Sequence, residues 1–251
     1  MKTEYVYDCK CGNEVRTDDP EAVDWRHLTQ PARHICPNCL YDEDYFLRGR
    51  QSGKSLYEDY RWLPDLTIPM VCSIISHLKI RVDDTILDFG CARGYTVRAF
   101  REMGYAAYGF DTSNWAVANC DPSVRQFVSN DWVYCPPEPP LLPLEFDWVI
   151  AKDVLEHVSE VAGTIDSLIR AAKVGLFAVV PLSAIDGERY VVGCYEEDIT
   201  HAHRLTLATW ARLFMRPGWS VEARYRVNGV KDNYARYKTG NGFIVARRVK
   251  E

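Results

Sequence analysis

No run of eighteen or more apolar residues occurs in the 251-residue chain, which argues against an ordinary membrane-spanning helix. The first residues, MKTEYVYDCKCG, lack an apolar signal core, so no secretion is expected and a cytoplasmic protein is the reading. A large excess of positive charge is also missing. Thirty Lys and Arg against thirty-five Asp and Glu leave a net charge of −5, which disfavours a partner held mainly through its phosphates. Nine cysteines, an odd number without a leader, suit a reducing compartment better than a disulfide framework. The dinucleotide fingerprint G-x-G-x-x-G is absent as well: Ala92 and Tyr95 stand where its second and third glycines belong.

What is present is a strand running into a tight turn and a helix, ILDFGCARGYTV at 86–97. Ile86, Leu87 and Phe89 supply an apolar strand, and Gly90 and Gly94 supply backbone without a Cβ where a ligand must come close. Asp88 lies at the carboxyl end of that strand, the edge at which open α/β sheets bind ligands. The following helix turns its amino terminus toward the same crevice. A nucleotide-like ligand fits this arrangement. Apolar residues at 47 % support a substantial core, and the length suits one α/β domain with a small appendage.

The turn reads D-x-G-x-A-x-G over Asp88, Gly90, Ala92 and Gly94. It resembles motif I of the class I S-adenosylmethionine (SAM) methyltransferases, D/E-x-G-x-G-x-G, with Ala92 for a glycine and an unusual charge at Arg93. Three further segments continue the resemblance in order. YAAYGFD (105–111) ends in Asp111, an acid at ribose-binding distance in sequence. VRQFVSND (124–131) ends in Asp131 and is followed by Trp132, and FDWVIAKDVLEHV (146–158) is similar to the fourth motif of the family. The resemblance implies a Rossmann-like α/β fold with a seven-stranded class I methyltransferase sheet over residues 56–251. It also implies SAM as cofactor. Asp88, Gly90, Ala92 and Gly94 would then hold it from the first turn, Asp111 and Thr112 from the second strand, and Asp131, Trp132 and Lys152 from the next two.

Alternating strand and helix patterns support a parallel sheet covered on both faces. Strands are expected at 85–89, 106–110, 125–128, 147–151, 175–180, 219–227 and 242–248, with helices at 69–79, 95–103, 113–119, 159–172 and 206–215. The last two strands form a closing hairpin. The Pro-rich run CPPEPPLLPLE at 135–145 is a rigid connection rather than a boundary.

Residues 1–55 have a different texture. Cys9 and Cys11 stand in C-x-C-G-N, and Cys36 and Cys39 in C-P-N-C, two knuckles that suit a tetrahedral zinc site in a zinc-ribbon-like segment. So core-poor a segment needs such a staple to fold. Residues 1–60 carry a net charge of −4 and the remainder −1, so this ribbon reads as a structural or protein-contact module, not a phosphate-binding one.

Methyl transfer is an in-line displacement, so alignment and exclusion of water carry much of the catalysis. A hydroxyl acceptor also needs a base. His157 is the candidate, with Asp153 and Glu156 near the same rim; a histidine that only stabilises the local fold is the bland alternative. His201 and His203, in EEDITHAHRLTLATW (196–210), can both point at the crevice. Asp153, Glu156, His157 and one of these two resemble the E-x-x-E-H…H metal site of the small-RNA 3′-terminal 2′-O-methyltransferases. That resemblance implies a second divalent metal at Glu156, His157 and His203. Lys231, Arg236 and Lys238, interleaved with Tyr234 and Tyr237, could hold a phosphate or stack on a sugar or base. The leading expectation is O-methylation of a small polar metabolite such as a sugar or nucleotide-sugar. Metal-dependent RNA 2′-O-methylation is the alternative, disfavoured by acidity. A non-catalytic SAM-binding module, or one that contacts a protein partner through the ribbon, is the alternative of another class.

Overall fold

The computed structural model describes residues 40–131, 145–231 and 233–249 in full, and the backbone of 5–8 and 14–17. Strands β1 (Tyr5–Asp8) and β2 (Glu14–Thr17) pair antiparallel, Asp8 opposite Glu14. Two short helices follow, α1 (Glu43–Leu47) and α2 (Gly49–Ser52), and then the long helix α3 (Pro64–Leu78). The α/β body continues as β3 (Thr85–Phe89), α4 (Tyr95–Glu102), β4 (Ala106–Phe110), α5 (Asn114–Ala118), β5 (Val128–Ser129) and β6 (Phe146–Lys152). It ends with α6 (Val161–Ala171), β7 (Ala172–Pro181), α7 (Leu207–Leu213), β8 (Trp219–Arg224) and β9 (Asn241–Arg248).

The main sheet has seven strands in the order β5-β4-β3-β6-β7-β9-β8. The first five run parallel, and β9 is antiparallel to both β7 and β8. This is the seven-stranded Rossmann-like sheet expected from the class I methyltransferase resemblance, closed by the expected hairpin.

Alternation along each strand divides the core into two layers. Ile86, Trp148, Ile150, Phe177 and Val179 face one way and join Ile74, Leu78, Val97 and Phe100 from α3 and α4. Leu87, Val149, Ala151, Leu176 and Ala178 face the other way and join Ile165, Leu168, Trp210 and Phe214 from α6 and α7. With both faces covered, the carboxyl ends of β3, β4 and β6 form the crevice left for a ligand.

Two expected elements differ most; β7 also starts three residues early, at Ala172, and β8 ends at Arg224 rather than 227. The third strand is only β5, because Pro122–Phe127 forms a 3₁₀ helix whose start is capped by the Asp121 carboxylate accepting from Ser123 N. The helix expected at 69–79 starts at Pro64 instead. Proline suits the first helical position, and Pro69 is carried inside the helix at the loss of one backbone hydrogen bond. Most of the Pro-rich run lies outside the described residues.

Candidate active site

One side of the crevice is built by backbone that turns left-handed three times in five residues. Gly90, Ala92 and Gly94 have φ of 78°, 49° and 76°. At Gly90 a Cβ would lie 2.2 Å from Val154 Cγ2, so the close approach of the two chain segments requires glycine. Gly94 caps α4. Ala92 is a non-glycine in the same region; its methyl group packs with Tyr45, Phe46 and Ala116, contacts a glycine would lack.

Asp88 is buried at the end of β3. Burial raises its pKa to about 7, against the pull of Lys152 and a hydrogen bond from Thr96. Asp111 is buried at the end of β4, and burial raises its pKa too. One of its carboxylate oxygens accepts from Ala92 N at 2.7 Å and the other from Ser113 N at 2.8 Å. Each oxygen keeps a further lone pair for ribose hydroxyls, so the residues present fit the cofactor. Thr112 and Asp131 are exposed at the same edge, where Asp131 N donates to Ser129 Oγ. Trp132 and the four cysteines Cys9, Cys11, Cys36 and Cys39 lie outside the described residues.

Residues 40–62 cover this turn. Tyr41, Tyr45, Phe46, Tyr57 and Tyr60 cluster with Trp115 around Ala92 and Ala116. Phe46 stacks on Trp115 at 5.5 Å and Tyr60 on Tyr95 at 5.4 Å between centroids. Polar groups fix the cover in place. Arg93 donates to the Tyr60 carbonyl (3.0 Å), and Ser113 Oγ to the Tyr41 carbonyl (2.5 Å).

On the other side of the crevice, β6 ends at Lys152, and Asp153 follows with a left-handed φ of 56°. Asp153 sits between Lys152 and Lys231, with one N–O distance of 2.6 Å to each. Burial alone would raise its pKa, but the two ammonium groups hold it well below the usual carboxylate range. Burial likewise works against the Lys231 charge, and Asp153 overcomes it. Lys231 also reaches Tyr195 Oη and Asn241 Oδ1. This corrects the expectation for the β8–β9 loop: Lys231 is an internal counter-ion rather than a surface phosphate ligand, while Arg236 and Lys238 are exposed.

Glu156, His157 and His201 meet, each offering a ligand atom within 4.8 Å of the others. Burial, and then Asp153, raise the Glu156 pKa well above its ordinary value. Burial, and then His201, lower that of His157 to about 4, so its ring is neutral near pH 7. Nδ1 of His157 lies 2.7 Å from Thr200 Oγ1, which donates its one proton to Asp198 Oδ1 at 2.6 Å. Thr200 Oγ1 can therefore only accept from the ring. Nδ1 must carry the hydrogen, and Nε2 keeps its lone pair, 4.0 Å from Glu156 Oε1. His201 Nδ1 and Glu156 Oε2 are buried without a hydrogen-bond partner among the described residues.

His203 does not join them. Its Nε2 lies 2.6 Å from the Val158 carbonyl oxygen, and its ring sits edge-on to Trp210. The Glu156 carbonyl accepts from both Ala202 N and His203 N, and this grip turns the His203 side chain away from the crevice. His201 takes the place assigned to it. Sequence reasoning also missed Tyr45, Asp198 and Thr200. The short-range D-x-T pattern could have flagged the last two as a turn in which one side chain orders the other.

The family model described as a methyltransferase domain matches residues 70–224. No curated protein matches the chain. Among solved structures, the methyltransferase bound to the Haloferax volcanii Trm112 methyltransferase activator is similar with a TM-score of 0.56. Identity is 18 %, over 74 % of this chain and 92 % of that one. A SAM-dependent methyltransferase from Archaeoglobus fulgidus gives a TM-score of 0.54 at 16 % identity, covering 74 % and 95 %. The 1,6-didemethyltoxoflavin-N1-methyltransferase of Burkholderia thailandensis, solved with 1,6-didemethyltoxoflavin and S-adenosylhomocysteine, gives 0.51 at 17 %, covering 82 % and 85 %. At these identities the likeness to the solved structures is one of fold.

Proposed function

We propose that this chain, which belongs to the methyltransferase domain family, methylates a hydroxyl of a small polar metabolite, a sugar or nucleotide-sugar in the favoured case. SAM supplies an electrophilic methyl group on a sulfonium that leaves readily. The residues of this chain do the rest. Asp88 and the turn at Gly90, Ala92 and Gly94 hold the cofactor from β3, Asp111 and Thr112 from β4, and Asp131, Trp132 and Lys152 from the strands beside them. His157 is the base: as the acceptor oxygen bonds the methyl carbon, Nε2 takes the hydroxyl proton. One observation carries this reading, the buried neutral His157 whose Nδ1–H is held by Thr200 and whose Nε2 lone pair is left free to accept a proton. Tyr41 and Tyr190 support a sugar-sized acceptor. They stand edge-on to His157 and His201, with centroids 6.1 and 5.2 Å away, and add aromatic surface beside the two imidazoles.

A second reading rests on the clustering of Glu156, His157 and His201. Two imidazole lone pairs and a carboxylate suit a divalent first-row metal, which would acidify a bound hydroxyl; Asp153, tied to two lysines, would stay outside its shell. RNA 2′-O-methylation belongs to this reading. A structural zinc at Cys9, Cys11, Cys36 and Cys39 is a separate proposal. Cys9 and Cys11 fall in the connection between paired strands β1 and β2, the place of a zinc knuckle, and zinc content of the Cys36→Ser variant tests it. A zinc ribbon in this segment can also serve as a protein-contact module.

The test is transfer of labelled methyl from SAM into nucleotide-sugars and into short RNA, with and without a chelator. Label in the sugar pool that survives chelation, and is lost by roughly 10²–10⁴-fold in His157→Gln, supports the first reading. Label in RNA that disappears with the chelator supports the second. No SAM binding at all would overturn both.

A further inference from the structure

The covering segment contributes more than shelter to the acceptor side. Tyr45 Oη donates to Asp198 Oδ2 at 2.9 Å, although 153 residues separate the two. The other oxygen of Asp198 accepts from Thr200 N (3.0 Å) and Thr200 Oγ1 (2.6 Å), and Thr200 Oγ1 accepts from His157 Nδ1 (2.7 Å). Tyr45, Asp198 and Thr200 are all buried, so these hydrogen bonds have no water to replace them. The backbone adds a tie in the same place, Ile199 N donating to the Lys54 carbonyl. Toward the glycine turn the cover is held at Tyr60 by Arg93 and at Tyr41 by Ser113, beside Asp111. Arg93 also donates to the Asn119 carbonyl at 2.8 Å, so it clamps three pieces of chain while leaving the crevice itself to backbone.

We propose that residues 40–62 form a positioning bridge between the two half-sites, in which Tyr45, through Asp198 and Thr200, fixes His157 as its Nδ1–H tautomer while Arg93 and Ser113 anchor the same segment to the cofactor turn. Tyr45, Asp198 and Thr200 are positioning residues: none needs to touch the acceptor. The hydrogen on Nδ1 leaves the Nε2 lone pair for the acceptor, whether it serves as a base or as a metal ligand with its outer partner in place. The bridge gives the charge at Arg93, foreign to a sulfonium site, a use directed away from the cofactor. It also places the amino-terminal segment in control of the acceptor side, since whatever displaces residues 40–62 removes the outer support of His157. The inference rests on the reading that His157 serves the acceptor.

The test uses the full chain and the variants Tyr45→Phe, Thr200→Val, Thr200→Ser and Arg93→Ala, each checked for native circular dichroism. The readouts are the ¹⁵N shifts of the His157 ring, identified among the six histidines by their loss in His157→Gln, and kcat, KM and SAM affinity. Wild type and Thr200→Ser should show a protonated Nδ1. Thr200→Val should show mixed tautomers and lose kcat by roughly 10- to 100-fold, with SAM affinity within about 3-fold, since one orienting hydrogen bond is gone. Tyr45→Phe and Arg93→Ala should fall in the same direction by roughly 3- to 10-fold. An unchanged tautomer in Thr200→Val, or unchanged kcat in both Tyr45→Phe and Thr200→Val, overturns the bridge. Full activity of His157→Gln would instead sink the functional reading, and the tautomer shifts would still decide the positioning claim.

Discussion

Replacing Asp88 with Asn should make the protein more stable at alkaline pH and worse at holding its cofactor. Asp88 is 4 % exposed at the end of β3, and burial raises its pKa from 3.8 to about 7. Between these values the unfolded chain has lost the proton that the folded chain keeps, so the folded state binds more protons and stability falls as pH rises. At about 1.4 kcal/mol per pH unit the penalty is about 2 kcal/mol at pH 5 and about 4 kcal/mol above pH 8. Asparagine has the shape of the protonated acid and carries no such penalty. Urea unfolding of Asp88→Asn and wild type should therefore give equal stabilities near pH 3.5 to 4, wherever both still fold. By pH 8.5 the variant should lead by about 2–4 kcal/mol. SAM affinity should fall by roughly tenfold or more, the cost of a lost charge-assisted hydrogen bond. A stability difference that is independent of pH, or a variant less stable than wild type at pH 8.5, refutes the reasoning. It would mean that Lys152 and Thr96 satisfy the carboxylate despite its burial.

Further substitutions probe how the site and the sheet beneath it are held. Ala92→Gly relieves a left-handed alanine, worth about 1–2 kcal/mol, but loses a buried methyl at about 1 kcal/mol and loosens the unfolded chain. The melting temperature should consequently move by no more than about 4 °C. Lys231→Met leaves Asp153 buried against Lys152 alone and should cost about 3 kcal/mol in urea unfolding; adding Asp153→Asn should restore at least half of the loss. Gly175→Ala places a Cβ 2.5 Å from Trp148 Cζ3 and 3.0 Å from the Ala246 carbonyl, an overpacking between central strands that should lower stability by about 1–3 kcal/mol in the same assay.

Local features were legible in the sequence and long-range ones were not. The strand–turn–helix at Asp88–Gly94 and the acid at Asp111 are written in one short stretch each, because a parallel strand, its turn and the helix start all occupy neighbouring residues. Even the third strand failed only where another local signal competed: Asp121 and Pro122 start a 3₁₀ helix that uses up most of the apolar run before β5. The acceptor side is different. His201 and His203 are chemically alike and two residues apart, and the choice between them is made by the Glu156 carbonyl, about 45 residues earlier in the chain, gripping Ala202 N and His203 N. Lys231 reads as a surface cation until β9 and its loop bring it against Asp153.

Ala92 and Arg93 show how a departure from a motif becomes intelligible only in three dimensions. Read along the chain, an alanine for glycine and an arginine beside a cationic cofactor are two defects in motif I. In the fold they serve one contact. The Ala92 methyl group enters the aromatic cluster of Tyr45 and Phe46 while its N–H still reaches Asp111, and Arg93 turns outward to hold the Tyr60 carbonyl. A methyl group and a clamp on the same two residues have a physical use only if something packs on the outer surface of the turn. Residues 40–62 do so, with aromatic side chains that cost little rotamer entropy to fix. The departures in motif I therefore trace the footprint of the amino-terminal cover. A homologous chain with glycine at position 92 and no basic residue at position 93 should lack the Tyr45–Phe46 cluster, and its histidine at position 157 should depend on other partners for its tautomer.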